Sequence, residues 1–166
     1  MTCCGSRHWA RRLTAHRPYP DLDALLAAAD EAAYDLTPAD LAEALAAEPL
    51  APALPPGSAY AAVAATALRA ATAAYENRFG HAFVICLDDV PPSEALDHLL
   101  ASLRARLGHE REEERAVAAE ELRRVARGRL TRLAHSWARS AAAVPAPHEA
   151  PDRAAGSRGD SPYVPV

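Results

Sequence analysis

Alanine fills 42 of the 166 positions, and 14 prolines cut those alanine-rich stretches into short lengths. Alanine is the strongest helix former, whereas the β-branched and aromatic residues that favour strands are scarce here, aromatics reaching only 5%. An all-β chain is thereby excluded. Each proline lacks an N–H and pushes its predecessor towards an extended backbone, so helices must end where prolines fall. The expectation is an all-α fold: a single compact bundle of about six helices, long enough to bury a core without metals or disulfides.

Local signals place the helices. Ser6 caps a helix reaching about His16, with Trp9 and Leu13 four apart on one face, and Arg17-Pro18-Tyr19-Pro20 breaks it. Asp21 caps a second, running to about Leu36 with Leu22, Leu25, Leu26, Ala29 and Ala33 as its apolar stripe. Thr37-Pro38-Ala39-Asp40 starts a third with a capping Thr, a proline at the first position and an acid in the first turn. After the proline-broken loop at 50–57, Ser58 caps an alanine-rich helix that Gly80 ends. Ala82–Leu87 is the one stretch of strand-like composition, read as a buried extended piece or a helix start. Ser93 caps a helix to about Leu107, and the longest helix spans about 112–137. Residues 1–140 form the expected helical domain. Residues 141–166, rich in Pro, Ala and Gly without amphipathic period, form an expected disordered tail.

Charge and cysteine usage exclude other classes. The net charge is −4 and the arginines are interleaved with acids, so no nucleic-acid partner is expected. No apolar run approaches 18 residues, so no membrane span is expected. The opening residues lack the apolar stretch of a signal peptide, and Cys3, Cys4 and Cys86 form neither an even set nor a Cys-x-x-Cys pair. Both features point to a cytoplasmic chain with reduced thiols.

One arginine stands out. On a helical wheel, Ala118, Val125, Ala126, Leu130, Leu133 and Trp137 fall within about 80° of Leu122, and Arg129 lies about 20° from it. A guanidinium on a core-facing stripe is costly without an anion or several acceptors. Arg129 therefore either pairs with an acid on a neighbouring helix or at a subunit interface, or lines a pocket and binds an anionic substrate. The acids Glu112, Glu113 and Glu114 on the same helix read as dipole and i,i+4 stabilisation. His8, His16, His98, His109, His135 and His148 show no ligand spacing and read as surface residues, and Cys86 reads as a small core residue.

The order Cys4, Trp9, Leu13, Arg17-Pro18-Tyr19, then Tyr75-Glu76-Asn77-Arg78-Phe79-Gly80-His81-Ala82-Phe83-Val84-Ile85-Cys86, resembles the OHCU decarboxylases. Leu103–Gly108 and Glu120–Val125 leading to Arg129-Leu130 agree, and the resemblance spans roughly residues 3–135 as a divergent member. It implies an all-α homodimer with no metal or organic cofactor. The implied reaction is decarboxylation of 2-oxo-4-hydroxy-4-carboxy-5-ureidoimidazoline, a small molecule, to (S)-allantoin in urate breakdown.

In that family a His-Pro at the end of the third helix, a Glu-Gln pair and an Arg on the last helix serve the active site. Arg129 matches the last. Glu48-Pro49 stands where the His-Pro would be, and Ser58-Ala59-Tyr60-Ala61-Ala62 stands where the family has Ser-x-x-Glu-Gln. The resemblance thus marks Arg129, Ser58, Phe83 and Ile85 as substrate-binding, and Glu48 or His81 as the group that handles the proton. Loss of CO₂ leaves negative charge to be spread over the ring and then protonated, which needs a cation and a proton donor. The alternative is a catalytically degenerate paralogue that binds a small anion or a protein partner.

Overall fold

A computed structural model describes residues 3–49 and 61–142. Ser58 lies outside the described residues, as does the expected tail from 143 onward. Six helices are found among the described residues, with no strand: α1 (Arg7–Ala15), α2 (Leu22–Tyr34), α3 (Pro38–Ala46), α4 (Ala61–Phe79), α5 (Ala95–Arg106) and α6 (Arg111–Ala142). None is long and apolar enough to cross a membrane.

The caps form largely as their residue types demand. Ser6, Asp21 and Thr37 each accept a backbone N–H of their helix's first turn, and Thr37 and Asp40 complete a reciprocal capping box. Gly80 ends α4 with φ +81°, in the left-handed region that other residues enter only with strain. Two boundaries differ from expectation. Ser93 does not cap α5: the Glu94 N–H folds back to the Pro91 carbonyl at 2.9 Å, so Ser93 sits inside a turn and Glu94 takes the cap position without a side-chain bond. The last helix continues to Ala142, because nothing from 138 to 142 breaks it and the next proline is Pro145.

Two apolar clusters share the interior. The first gathers α1, α2, α3 and α6, with Trp9, Leu13, Leu26, Leu41, Leu45 and Leu122 packed around it. α6 runs chiefly against α2. Ala29, Ala32, Ala44, Ala118 and Ala126 are buried at these contacts. A methyl group is the smallest side chain that still fills space, so the helices approach closely without voids. The second cluster joins α4 and α5 through Leu68, Tyr75, Leu99 and Leu103.

The run 82–87 is extended, not helical, and lies between the two clusters. Its side chains divide between them. Val84 belongs to the first cluster, whereas Phe83, Ile85 and Leu87 pack in or against the second. That period of two is what an extended chain imposes. Trp137, on the apolar arc of the wheel, is 68% exposed. Leu130 is the last α6 residue of the first cluster, so among the described residues the helix outruns its core before it reaches Trp137.

Candidate active site

The site begins at the end of α3. Ala47 caps that helix and Pro49 prevents its continuation, which turns Glu48 inward. Facing it, α6 presents Arg129. The Arg129 Nη1 and Nη2 groups donate to the two Glu48 carboxylate oxygens, both at 2.7 Å, and Nη1 also lies 3.4 Å from the Cys3 carbonyl. The Glu48 bond raises the guanidinium's affinity for its proton above its already high ordinary value, so Arg129 is a permanent cation. Of the two possibilities for Arg129, the paired arrangement is present, and it lines a pocket as well.

That pocket has a volume of about 250 Å³, bounded by Glu48, Pro49, Val125, Arg129, Arg132 and the whole run 83–88. Arg132 Nη1 donates to both oxygens of Asp88 at 2.8 Å, so two acid–arginine pairs stand around one cavity. Asp88 approaches α6 over Gly128, where an added Cβ would fall 1.8 Å from the Asp88 Oδ2.

Two clamps fix the extended wall. The Cys86 N–H donates to Glu121 of α6 at 2.6 Å, and Arg106 Nη1 of α5 donates to the Val84 carbonyl at 2.6 Å. Between them, the Ile85 N–H and C=O take no hydrogen bond among the described residues. Phe83 contributes to the pocket wall, but its ring is buried in the second cluster, edge-on to Tyr75 at 5.0 Å. Burial pushes the Cys3, Cys4 and Cys86 thiols up, which keeps them protonated and unreactive near neutral pH.

The Arg106 clamp belongs to a network that sequence reasoning missed. Arg106 is 3% exposed, and its Nε and Nη2 donate to Glu114 at 2.9 and 2.6 Å. Tyr75 also donates to Glu114, and His109 Nδ1 lies 2.9 Å from it. The Arg106 guanidinium stacks 4.5 Å above the Phe83 ring. Glu114, read from sequence as a helix-dipole and i,i+4 acid, has no exposed area, and His109 is a part of this network and not a free surface residue. The signal was available. Glu114 falls one helical repeat before Ala118, Leu122 and Ala126, on the buried stripe of α6.

The structure therefore brings Glu48, Arg129, Phe83 and Ile85 to one cavity. His81 lines a different one, with Phe79 and Arg111. Among the described residues no three His, Cys, Asp or Glu side chains gather as a metal would need.

A family model described as OHCU decarboxylase matches residues 1–52 and 56–131. The chain belongs to the OHCU decarboxylase family, a family of lyases. Its fold is that of a solved structure described as OHCU decarboxylase in the presence of (S)-allantoin. The TM-score is 0.65 at 23% identity, covering 79% of this chain and 93% of that one. An (S)-allantoin synthase structure matches with TM-score 0.56 at 21% identity, covering 74% of this chain and 43% of that one. No curated protein matches the chain. The match to the OHCU decarboxylase family takes in Glu48, the extended wall and Arg129, the parts of the cavity just described.

Proposed function

We propose that the chain decarboxylates 2-oxo-4-hydroxy-4-carboxy-5-ureidoimidazoline to (S)-allantoin, as the family's activity suggests. The observation that carries this is Arg129 set in a cavity walled by an extended backbone with the Ile85 N–H and C=O unused. A guanidinium fork suits the substrate's carboxylate, and a donor–acceptor backbone edge suits its ring amide and ureido groups.

For the substrate to bind, its carboxylate replaces that of Glu48 on Arg129. The guanidinium remains paired throughout, so its own charge is never left bare. The carbon–carbon bond to the carboxylate then breaks, CO₂ leaves, and the electron pair passes into the ring, close to the Arg129 cation. One proton is consumed in forming the new C–H bond. Glu48, displaced from Arg129 but still lining the cavity, is the residue assigned to deliver it. His81, in its separate cavity, has no part in this step.

A second reading rests on one specific observation: Glu48 occupies both Nη groups of Arg129 at the position where family resemblance puts a histidine. A site that lacks that histidine suits a paralogue that keeps the fold and binds a small anion or a protein partner without turnover. Freshly generated substrate added to purified protein, followed by circular dichroism of the allantoin formed, decides between them. Stereospecific product above the spontaneous rate supports catalysis, and a rate equal to the spontaneous one overturns it. The family resemblance also supports a cytoplasmic homodimer, and light scattering tests the dimer.

A further inference from the structure

A second cavity, of about 270 Å³, lies between α3, the end of α4 and the start of α6. Leu41, Leu45 and Phe79 give it an apolar floor, and His81, Arg111 and Arg115 supply its polar groups. No acid lines it. That sets it apart from the Glu48–Arg129 cavity, where each arginine faces a carboxylate.

The charge is available as well as present. Arg115, Arg123, Arg124, Arg127, Arg129 and Arg132 of α6 are each paired with an acid. Arg111 has no such partner among the described residues. The partner of Arg115 is Glu112, 82% exposed, and an exposed i,i+3 pair of this kind contributes so little that a ligand anion can replace it. His81 is held in place by its own neighbours. Its Nδ1 lies 3.0 Å from the Ala82 carbonyl, an atom that only accepts, so Nδ1 carries the proton. Its ring also packs edge-on to Tyr75 at 5.5 Å.

We propose that this cavity is a second binding site, for a small organic anion with an apolar body, of the aryl or branched-chain carboxylate class. The apolar floor takes the body, and Arg111, with Arg115, takes the carboxylate. The volume falls just below the range of about 300–1,000 Å³ typical of drug-sized ligands, which suits a molecule of one ring. Simple phosphate or chloride would leave the floor in contact with water, and a neutral ring would leave Arg111 unpaired.

Benzoate is the probe, titrated into the full chain at low salt and followed by amide chemical shifts. The expected result is saturable binding with Kd on the order of 1 mM. The shifts should centre on residues 41–46, 79–81 and 111–115. Arg111→Ala/Arg115→Ala, changes at exposed positions whose fold is checked by circular dichroism, should weaken it at least tenfold. Benzyl alcohol should bind at least tenfold more weakly than benzoate. The proposal is overturned if benzoate does not saturate, if the double variant binds as tightly, if benzyl alcohol binds equally well, or if the shifts centre on 83–88 and 129. None of these readouts depends on decarboxylation, so this site and the proposed reaction fail separately.

Discussion

Glu48 and Arg129 meet as a fork-to-fork pair, both N–O distances being 2.7 Å, with side chains only 6% and 18% exposed. The pair ties the end of α3 to the last third of α6, and it is the polar centre of the cavity. Two charges withdrawn from water gain little net stability from each other, but either one left alone is costly. Such a pair is therefore a weak staple and a strong constraint: whatever replaces Glu48 must bring an anion or acceptors of its own.

Removing one partner exposes that asymmetry. Glu48→Ala leaves Arg129 facing a mostly apolar wall and should lower stability by about 2 kcal/mol, less than the 3–5 of a fully buried pair because Arg129 keeps some solvent. Glu48→Ala/Arg129→Met removes both charges and should recover most of that loss. Urea denaturation of the three chains checks it. A double variant as unstable as the single one would mean that the pair's geometry, and not its charge, holds α3 against α6.

The same residues separate the two functional readings. Glu48→His frees the guanidinium and supplies a side chain able to give and take a proton near neutral pH. Decarboxylation should then proceed faster than in the parent chain. Arg129→Lys keeps the charge but loses the planar fork, and kcat/KM should fall at least tenfold, about 1.4 kcal/mol in transition-state stabilisation. Assay of allantoin formation gives both numbers. An unchanged rate in Arg129→Lys would remove Arg129 from the reaction.

Legibility followed physical rules. Helix starts were readable because Ser6, Asp21 and Thr37 act through local hydrogen bonds that neighbouring residues determine. Arg129 was readable because helical period places it on the buried stripe. Its partner was not, since 81 residues separate it from Glu48 and only the packing of α3 on α6 joins them. The buried Arg106–Glu114–Tyr75 network escaped for a different reason. Glu114 sits in a run of three acids, where an N-terminal helix turn favours acids anyway, and that local explanation concealed its place on the inward face. His81 was judged by its neighbours in sequence, yet the turn at Gly80 directs it to another cavity.

Glu114 should be visible in the acid limb of stability. Burial works to raise its carboxyl, but hydrogen bonds from Arg106, Tyr75 and His109 and the charge of Arg106 outweigh burial and hold it below its ordinary 4.5. A carboxyl depressed on folding adds stability that is complete above its unfolded value and is lost as pH falls through the folded one. Unfolding free energy should therefore drop below about pH 4.5. Glu114→Gln should flatten that limb and cost about 3–5 kcal/mol near pH 7, because Arg106 then lies buried without its anion. Denaturation series from pH 3 to 7 test both. Equal slopes for the two chains would show that other carboxyls carry the acid transition.

Two glycines should respond very differently to the same substitution. At Gly5 an added Cβ would meet the Ala47 Cβ at 2.3 Å and the Ala44 backbone at 3.1 and 3.3 Å. Those atoms belong to α3 and its cap residue and cannot turn aside, so Gly5→Ala should destabilise by about 1–3 kcal/mol. At Gly128 the obstacle is the Asp88 carboxylate, the end of a half-exposed side chain that can rotate away. That rotation gives up the ion pair with Arg132, a surface interaction of about 0–1 kcal/mol. Replacing a glycine inside a helix by alanine returns about 0.5–1 kcal/mol. The two terms nearly cancel, so Gly128→Ala should leave the melting temperature within a few degrees of the parent. It would also free Arg132 at the cavity rim and alter KM. A large fall in melting temperature for Gly128→Ala would mean that the 87–89 backbone is as rigid against α6 as α3 is against Gly5.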